Sequence, residues 1–569
     1  MIQEKEIDGI WYRLNVNDQE AVVIKSKGEE YSGKIVIPSS FFHEGITYFV
    51  TQIAEHAFEF CLKVTSITIP SSIKKTGEHS FYYFGSEYYD VSLDSIESFC
   101  RIDFGVIGNP IHNANKVFIN NEKITHLTIP GTIQIVSEDI FYNCNFESIT
   151  IEEGVVEIAE NAFRGSSIKS ISLPKTLETI GDSAFESCSD LKSVIGGEKV
   201  RYIGNNTFSN CKRLEIFEIK DCLEKIGNAA FEYCKCLSME IPPKLRTLGA
   251  WAFRDSWLSI DIPDCLINID KYAFAGCKLD GAINVDPFNP NYDSREGCNA
   301  VIETKTNTLI RASEETIIPK SVRVIGEYSF SDLHYLPSIV IPEGVVRIED
   351  NAFNNCYRLR EIDIPSTLVS IGSAFTNCCN IDVRINNLEA WCNIEFGCNP
   401  LSMGRWYEGY VGHPKTSFLY LNGEIISDLI IPSSITCIKN STFKRCYLES
   451  VNIPNTVTSI GDEAFLGCSH MASILIPKQV TDIGTGAFAG CEDLTFLTIL
   501  GNPRIQNGVF AGCEGLKDVY CYSDEAPIAD EAFGKLNLSA ITLHVPSEAV
   551  NNYKNLEPWS KFGSIVPLK

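Results

Sequence analysis

Cysteine is the residue whose abundance most suggests chemistry, because 22 of the 569 residues are cysteines. Cysteine thiolates can form disulfides, ligate metals or act as nucleophiles. However, no C-x-x-C pair occurs, and no histidine follows a cysteine at the spacing of a zinc site. Instead, twelve cysteines stand three residues after a phenylalanine: Cys61, Cys144, Cys188, Cys211, Cys234, Cys277, Cys356, Cys378, Cys446, Cys468, Cys491 and Cys513.

This regular position predicts that the twelve cysteines form one column inside a repeating structure. Neighbouring strands lie about 4.8 Å apart, and parallel Cβ vectors at that spacing miss the ~3.8 Å Cβ separation that a disulfide prefers. We therefore expect reduced, buried thiols that act as small hydrophobic side chains. Disulfide bonds and metal ligation are the alternatives.

Motifs of catalysis are missing from the sequence. The nine histidines are scattered, neither G-x-S-x-G nor H-E-x-x-H occurs, and no spacing suggests a catalytic triad. The segment "GTGAFAG" at Gly484 lacks the G-x-G-x-x-G spacing and the βαβ context of a phosphate-binding loop. We therefore expect that the protein is not an enzyme, and we assign no catalytic residue and no metal ligand.

An acidic row is the first candidate binding site. Glu218, Glu240, Asp261 and Asn284 occupy the same outward position of four successive repeats, which would place their side chains roughly 5 Å apart. Like charges at this spacing repel, so water, a neighbouring Lys or Arg, or a bound cation or basic segment must compensate. Solvation is the simpler interpretation, and binding of Ca²⁺ or of a basic ligand is the alternative.

A second polar group lies in the segment "VDPFNPNYD". Asp286, Asn289, Asn291 and Asp293 offer oxygen ligands for Ca²⁺, but Asp, Asn and Pro are also the usual turn-forming residues, and the order of an EF-hand is absent. Turn formation is therefore the better interpretation. We expect no cofactor, with Ca²⁺ as the one possible exception.

Aromatic residues in a glycine-rich loop are the second candidate binding site. Trp406, Tyr407 and Tyr410 alternate with glycines in an insertion at about residues 383–431. Aromatic side chains on a protruding loop suit contact with a protein or a sugar. The alternative is that they fold back over the scaffold.

The elements that must position these residues follow from an internal repeat. Its most regular member is a phenylalanine, and most neighbouring copies lie 22 or 23 residues apart. A period in this range predicts a solenoid, because one short unit cannot bury its apolar face without stacking on its neighbours. The anchors are Phe58, Phe81, Phe141, Phe163, Phe185, Phe208, Phe231, Phe253, Phe274, Phe330, Phe353, Phe375, Phe443, Phe465, Phe488, Phe510 and Phe533.

Each copy predicts a strand, a corner, a second short strand and a helical turn. In residues 448–454, apolar and polar residues alternate, which places Val451 and Ile453 inward before a proline ends the strand. Gly461 would supply a positive φ at the corner, and Asp462 would be the N-cap of the helical turn. The outward strand positions are mostly small and polar: Thr68, Thr128, Thr150, Ser172, Asn452, Thr498 and Thr542.

The frame L-x-x-I-x-I-P followed by V-x-x-I-G-x-x-A-F-x-x-C resembles the BspA-like, or Treponema-type, leucine-rich repeats. About seventeen copies cover nearly the whole chain, and they lack the Asn ladder of better-known leucine-rich repeats. The resemblance implies a leucine-rich-repeat solenoid dominated by β-structure with short helical turns, as a curved right-handed coil with a concave parallel sheet and capped ends.

The expected domains are an N-terminal β cap at 1–50, the solenoid at 51–544 and a C-terminal cap at 545–569. Insertions interrupt the solenoid at about 91–129, 281–319 and 383–431. In each insertion the sequence predicts a β-hairpin.

Charge and hydropathy exclude some partners. The formal net charge is −25, which repels nucleic acid. No apolar run approaches the ~20 residues of a membrane span, and the N-terminal segment has no apolar run of signal-peptide length. We expect a monomer that binds neither nucleic acid nor membranes.

The resemblance implies a non-catalytic adhesion scaffold at the cell surface of a bacterium, or secreted from it. Its partner would be a protein or glycan, such as a host matrix protein. An intracellular, cytoplasmic scaffold for protein-protein interaction is the alternative, because a signal peptide is not evident and thiols are numerous.

Overall fold

The computed structural model describes residues 2–86, 88–219, 221–279, 281–378, 380–402, 417–529 and 531–568. The chain forms two compact units, Met1–Asn289 and Pro290–Lys569, which we call the N-terminal and C-terminal units. Each is a parallel β-solenoid with very little helix. The finer division into two caps and a solenoid stays a prediction.

The N-terminal unit contains one described α-helix, α1 (Ile96–Cys100). Its strands are β1 (Ile2–Ile7), β2 (Ile10–Asn15), β3 (Glu20–Val23), β4 (Ser32–Val36), β5 (Ser40–His43), β6 (Ile46–Ile53), β7 (Lys63–Ile69), β8 (Lys75–Thr76), β9 (Asp90–Leu93), β10 (Asp103–Phe104), β11 (Lys116–Ile119), β12 (Glu122–Lys123), β13 (His126–Ile129), β14 (Ile135–Val136), β15 (Ser148–Ile151), β16 (Glu157–Ile158), β17 (Ser170–Leu173), β18 (Thr179–Ile180), β19 (Ser193–Gly196), β20 (Tyr202–Ile203), β21 (Ile216–Phe217), β22 (Lys225–Ile226), β23 (Ser238–Glu240), β24 (Thr247–Leu248), β25 (Trp257–Ser259), β26 (Asp261–Ile262), β27 (Asn268–Ile269), β28 (Lys278–Leu279) and β29 (Asn284–Val285).

The C-terminal unit contains two described α-helices, α2 (Leu388–Cys392) and α3 (Val550–Lys554). Its strands are β30 (Tyr292–Asp293), β31 (Ala300–Glu303), β32 (Thr308–Ala312), β33 (Val324–Ile325), β34 (Ser338–Val340), β35 (Arg347–Ile348), β36 (Glu361–Ile364), β37 (Ser370–Ile371), β38 (Asp382–Ile385), β39 (Glu395–Phe396), β40 (Leu419–Leu421), β41 (Glu424–Ile425), β42 (Asp428–Ile430), β43 (Cys437–Ile438), β44 (Ser450–Asn452), β45 (Ser459–Ile460), β46 (Ser473–Ile476), β47 (Asp482–Ile483), β48 (Phe496–Ile499), β49 (Arg504–Ile505), β50 (Asp518–Cys521), β51 (Thr542–Val545) and β52 (Ser564–Pro567).

Each regular coil contains one longer strand, one two-residue strand and a turn. In the coil that begins with β17, Ile171 and Leu173 are buried while the residues beside them face outward. The chain then forms β18 and turns at Phe185. Longer strands pair in parallel with longer strands, as β15–β17–β19, and two-residue strands pair with each other, as β16–β18–β20. The core therefore lies between two sheets and a column of turns.

The anchor phenylalanines form stacked columns in the core, as the repeat predicts. Phe185 and Phe208 have ring centroids 5.3 Å apart and planes within 1° of parallel, and Phe465 and Phe488 are 5.2 Å apart at 3°. All four rings are fully buried. The stacking distance is slightly larger than the strand spacing because offset rings pack at this range.

The corner glycine has a different role from the predicted one. Gly461 does not have a left-handed φ, and a Cβ atom there would lie 2.4 Å from Oδ1 and 2.7 Å from the backbone N of Asn440. The left-handed residues of this coil are Glu463 (φ 54°) and Gly467 (φ 73°). Glycine is therefore needed at 461 because the preceding coil approaches too closely for a side chain.

The segment after the corner is a series of turns, and Asp462 is not a helix N-cap. Its Oδ1 accepts a hydrogen bond from the backbone N–H of Thr485 in the next coil, at 2.7 Å. Its own N–H donates to Oδ1 of Asn440 in the preceding coil, at 2.8 Å. Two left-handed residues in six prevent a regular helix. The same position forms a short side-chain ladder between coils elsewhere, at Asp182, Asn205 and Asn228.

Two of the insertions contain hairpins, as predicted. Strands β11 and β12 pair antiparallel around a turn at Asn120 and Asn121, and β40 and β41 pair antiparallel around Asn422 and Gly423. All four turn residues have positive φ, which fits the two-residue turn of a hairpin. The helix that precedes each hairpin, α1 or α2, was not predicted.

The insertion at 281–319 also contains the predicted hairpin, formed by β31 and β32. The polar residues before it stabilise local structure. Oδ1 of Asp286 accepts the N–H of Phe288 at 2.8 Å, and Asp293 forms an ion pair with Arg295 at 2.6 Å. Nδ2 of Asn289 donates to two backbone carbonyls. The contacts of Asp286 and Asp293 are those of turn formation, whereas Asn289 bonds to the preceding coil. The Ca²⁺ alternative stays a prediction.

Candidate interaction face

The outward positions of the longer strands in the N-terminal unit form a mostly small, polar surface. Thr128, Thr150 and Ser172 stand in register on β13, β15 and β17. The row continues on β19 with Ile195, which is 40% exposed. The hydroxyl side chains of this row on β13, β15 and β17 are too small to anchor a ligand, and Ile195 is the first larger side chain in the row.

The predicted acidic row is divided by a shift in register. Glu240 pairs with Ser259, and it is not opposite Asp261 as the alignment of repeats predicted. The reason is that Leu258, fully buried, takes the inward position opposite Met239. The strand β25 therefore begins two residues earlier than the repeat pattern indicates.

Other polar groups contact the members of the predicted row. Asp261 stands opposite Asn284, whose Nδ2 donates to Oδ1 of Asp261 at 2.7 Å. The carboxylate of Glu218 accepts a hydrogen bond from the backbone N–H of Gly196 at 3.1 Å. Glu240 is exposed. The four residues therefore do not form one continuous row of stacked carboxylates, and binding of a cation or basic ligand by them stays a prediction.

A charged cluster lies on the sheet β34-β36-β38-β40-β41 of the C-terminal unit. Arg384 on β38 stands between Asp363 and Tyr420 in register, and it forms a 2.9 Å ion pair with Glu361. Its guanidinium also lies 5.7 Å from the centre of the Tyr420 ring. The pKa of Asp363 is raised above its ordinary value, mainly by burial and also by nearby Glu361, although Arg384 offsets part of the rise. Arg384 therefore already has an acidic and an aromatic partner on its own sheet.

Glu343 is another carboxylate that connects coils of the C-terminal unit. It accepts hydrogen bonds from the backbone N–H and the hydroxyl of Ser366, both at 3.0 Å, and from Nδ2 of Asn386 at 3.1 Å. Burial alone would raise its pKa, but these donors together lower it below the ordinary value of 4.5. Glu343 is therefore a structural carboxylate, held ionised by its neighbours.

Apolar and aromatic side chains, two of them exposed and two half-buried, lie on the outward face of the last sheet of the C-terminal unit. We call Leu475, Phe496, Tyr520 and His544 the C-terminal patch. Leu475, Tyr520 and His544 share one outward row on β46, β50 and β51, and Phe496 stands in the adjacent row on β48. Leu475 and Phe496 are each 46% exposed. Because strands hold all four residues, the patch is a preformed surface.

Two members of the patch are fixed by contacts with each other and with an acid. The rings of Tyr520 and His544 stack with centroids 4.3 Å apart and planes within 9°. Nε2 of His544 lies 2.9 Å from Oδ1 of Asp518. The patch thus combines apolar area with oriented polar groups, a combination that is typical of interaction sites.

The repeat indicates that side chains of this patch face outward, whereas the register of the strands decides which of them are neighbours. Thr498 and Thr542 were assigned correctly to outward positions, and the residues two positions away along the same strands are Phe496 and His544. The sequence thus predicted the outward threonines of these strands but not the larger side chains beside them. The other predicted aromatic site, formed by Trp406, Tyr407 and Tyr410, lies outside the described residues.

The column of cysteines is buried, as predicted, but the thiols are more than small hydrophobic groups. Sγ of Cys188 donates to the backbone carbonyl of Phe163 in the preceding coil at 3.1 Å. Where the column contains serine, the hydroxyl makes the same contact, as Ser166 does with Phe141 at 2.7 Å. The same thiol bond recurs at Cys211, Cys234, Cys356, Cys378, Cys468, Cys491 and Cys513.

Burial also makes these thiols poor nucleophiles. It raises the pKa of Cys188, and likewise that of Cys446, to about 12. A thiol with so high a pKa remains protonated at neutral pH, where only the thiolate would attack an electrophile or bind a metal. All cysteines in the described ranges are free thiols.

Two kinds of site are not found in the described parts of the chain. Within those ranges, no cluster of three or more His, Cys, Asp or Glu side chains is placed to hold a metal ion. None of the helices there has the length and apolar character needed to cross a membrane.

The repeat units match a known family along most of the chain. The BspA type leucine rich repeat region matches residues 39–101, 113–238, 185–287, 309–394 and 416–539. The chain belongs to the BspA-type leucine-rich repeat family. The resemblance that the sequence motifs indicated is thus confirmed, and this family supports a repeat-based scaffold for protein interaction. No curated protein sequence matches the chain.

Solved structures of three bacterial proteins, two of them described as leucine-rich, align with this chain over most of their length. One from Bacteroides ovatus is 19% identical, with 95% of this chain and 99% of that chain covered and a TM-score of 0.27. A leucine-rich cell surface protein from Faecalibacterium prausnitzii is 18% identical, with 100% and 95% covered and a TM-score of 0.26. The pneumococcal vaccine antigen PcpA is 16% identical, with 100% and 98% covered and a TM-score of 0.20.

Proposed function

We propose that this protein is a non-catalytic adhesion scaffold of the bacterial cell surface, and that the C-terminal patch anchors its protein or glycan partner. The observation that carries the proposal is the position of these four outward side chains on strands, where Leu475 and Phe496 are each 46% exposed and Tyr520 and His544 are half-buried. Adhesion to host matrix or to other cells is what membership of the BspA-type family suggests.

The chemistry of the patch supports contact with either class of partner. Binding is favourable when a protein or the apolar face of a sugar ring covers an exposed Phe such as Phe496, because apolar surface is removed from water. Stacking of Tyr520 on His544 and the hydrogen bond of His544 with Asp518 reduce the number of orientations open to these two rings before binding. Less conformational entropy is then lost on binding, which increases affinity.

Binding is tested with the purified chain on an array of host extracellular matrix proteins and glycans, followed by titration of the strongest partner. The double variant Phe496→Ala with Tyr520→Ala removes two large side chains of the patch. We expect its affinity to fall at least about tenfold, since buried aromatic anchors carry much of the energy of an interface.

The matched control is Thr150→Ala with Ser172→Ala, which changes the polar face of the N-terminal unit. It should bind like the wild type, and both double variants should unfold near the wild-type temperature. The assignment of the patch is wrong if both double variants bind equally well. The adhesion function is wrong if no matrix protein and no glycan binds.

The cell-surface location is a separate part of the proposal. The alternative, an intracellular scaffold, was favoured by the many thiols, but those of the buried column, such as Cys188 with its raised pKa, are protected from oxidation in any compartment. Treatment of intact cells with protease distinguishes the two. Loss of the protein while a cytoplasmic marker survives supports the surface, and survival of both proteins supports the alternative.

A further inference from the structure

Strand β4 has one edge that no strand covers in the part of the chain that the structure describes. It ends its sheet, where the order is β12-β11-β9-β7-β4, and it pairs in parallel with β7 alone. The N–H of Ile37, just after β4, donates to Thr68 on the β7 side. Since backbone groups alternate along a strand, those of Lys34 and Val36 point to the open edge.

A groove lies along this open edge. Its volume is about 780 Å³, within the range of known ligand sites. One wall contains the end of the β1–β2 hairpin, with Trp11 and Tyr12, and the other contains β4 with Ser32, Lys34 and Val36. Val36 is 52% exposed. The groove therefore combines unpaired backbone groups with apolar side chains.

One buried tyrosine fixes the floor of the groove. The hydroxyl of Tyr31 accepts the N–H of Trp11 at 2.9 Å and donates to the carbonyl of Ile24 at 2.8 Å. Burial raises the pKa of Tyr31 to about 12, so this hydroxyl keeps its proton at neutral pH. The hairpin is thus held at a set distance from the strand, and the groove exists before any ligand binds.

The charge of the lining identifies the kind of occupant. Four acidic residues, Glu6, Asp8, Glu29 and Glu30, line the groove, and Lys34 is its one basic residue. The four are exposed, and none of them takes part in an ion pair among the described residues. Such a lining attracts positive charge and repels anions.

We propose that the open edge of β4 binds an extended, basic peptide segment of a partner protein by strand addition. The peptide backbone would pair with Lys34 and Val36. Its Lys or Arg side chains would approach the four carboxylates, and its apolar side chains would contact Trp11. This site lies in the N-terminal unit, apart from the C-terminal patch, and does not depend on the function of the patch.

The other possible occupant is a second copy of this chain paired through the same edge. The charge of the groove disfavours that arrangement, because two copies would bring eight carboxylates and two lysines together. A protein edge left open also needs some protection from such pairing, and Lys34 and the register shift between Gly33 and Lys34 provide it in part.

The probe is a short acetylated and amidated peptide of alternating Lys and Val, titrated calorimetrically into the full chain. Two comparison peptides isolate the two parts of the proposal. One has N-methyl groups on alternate residues, which removes backbone donors and keeps the charge, and the other has Glu in place of Lys. We expect both comparison peptides to bind at least about tenfold more weakly.

Two protein variants locate the site. Val36→Pro removes an N–H that faces the groove and leaves the bonds to β7 intact. Glu29→Lys with Glu30→Lys reverses part of the charge at exposed positions, so folding should be unaffected. Both should weaken binding of the Lys-Val peptide about tenfold, and the peptide should slow hydrogen exchange at Lys34 and Val36 in the wild type.

Several results would overturn the proposal. Equal affinity for the N-methylated peptide would mean that charge alone attracts the probe. If the Glu29→Lys, Glu30→Lys variant bound the Lys-Val peptide with the wild-type affinity, the binding site would lie elsewhere. If the wild type bound no Lys-Val peptide, strand addition at β4 would be refuted. A concentration-dependent dimer that Val36→Pro dissociates would assign the edge to a second copy of the chain.

Discussion

Substitution of one anchor phenylalanine, Phe465→Ala, should destabilise the C-terminal unit strongly and locally. Phe465 is fully buried, and its ring stacks on Phe443 at 5.4 Å and on Phe488 at 5.2 Å. Removing a buried Phe side chain costs about 3–5 kcal/mol. Two stacked ring pairs are lost at once, each of about 0.5–1.5 kcal/mol, so the cost should lie in the upper part of the range for a buried Phe.

The assay must resolve individual coils, since a long array of repeats does not unfold in a single two-state step. Hydrogen exchange provides this resolution. The N–H of Phe465 donates to Ala487 at 2.7 Å, and that of Phe443 donates to Ala464 at 2.8 Å. Both amides should exchange much faster in the variant, while amides several coils away should change little.

The matched control is Phe288→Ala, the same change at a side chain that is 84% exposed. It should cost less than about 0.5 kcal/mol, because no cavity forms. The reasoning would be refuted if Phe465→Ala cost less than about 1 kcal/mol. A loss of protection spread evenly over the whole unit would contradict the expectation that each coil is stabilised mainly by its neighbours.

Three further substitutions test other contacts between coils. Cys188→Ala should lower the free energy of unfolding by about 1 kcal/mol in chemical denaturation. Cys188→Ser should lower it much less, because Ser166 already makes the equivalent bond. Equal losses would mean that the thiol bond is unimportant. Gly461→Ala should lower the free energy of unfolding by about 1–3 kcal/mol, because the added Cβ would clash with the preceding coil. Gly28 has open space around it, so Gly28→Ala should leave the same thermal melt unchanged. Glu343→Gln should destabilise the folded protein at pH 7. The difference in stability from the wild type should shrink as the pH falls below 4.5, because the folded pKa of Glu343 is lowered and its stabilising effect disappears on protonation. A difference that does not depend on pH would contradict this.

Much of the fold could be predicted because each repeat contains its own pattern. The alternation around Val451 and Ile453, the period of the phenylalanines and the position of the cysteines are all local features of the chain. A stack of similar coils places equal positions on top of each other, so the core follows directly from the period. The turns Asn120-Asn121 and Asn422-Gly423 similarly predicted two hairpins.

Predictions failed where one coil meets the next. The acidic row required Glu240 opposite Asp261, but burial of Leu258 on β25 placed Ser259 opposite Glu240 instead. Gly461 and Asp462 were assigned to a turn within their own coil, and both instead contact Asn440, which belongs to the coil before it. Such contacts depend on atoms about one repeat away, which a pattern within a single repeat does not specify.

The sequence by itself determined the solenoid, its family, and the burial of its phenylalanines and cysteines, because these depend on hydrophobic periodicity alone. Only the tertiary structure decided which outward side chains adjoin each other, as in the C-terminal patch of Leu475, Phe496, Tyr520 and His544. It also decided that β4 keeps an open edge beside an acidic groove. The physical reason is that packing between coils sets the register of the strands and decides which strand ends each sheet. The register determines which side chains are neighbours, and the last strand determines where an edge stays open.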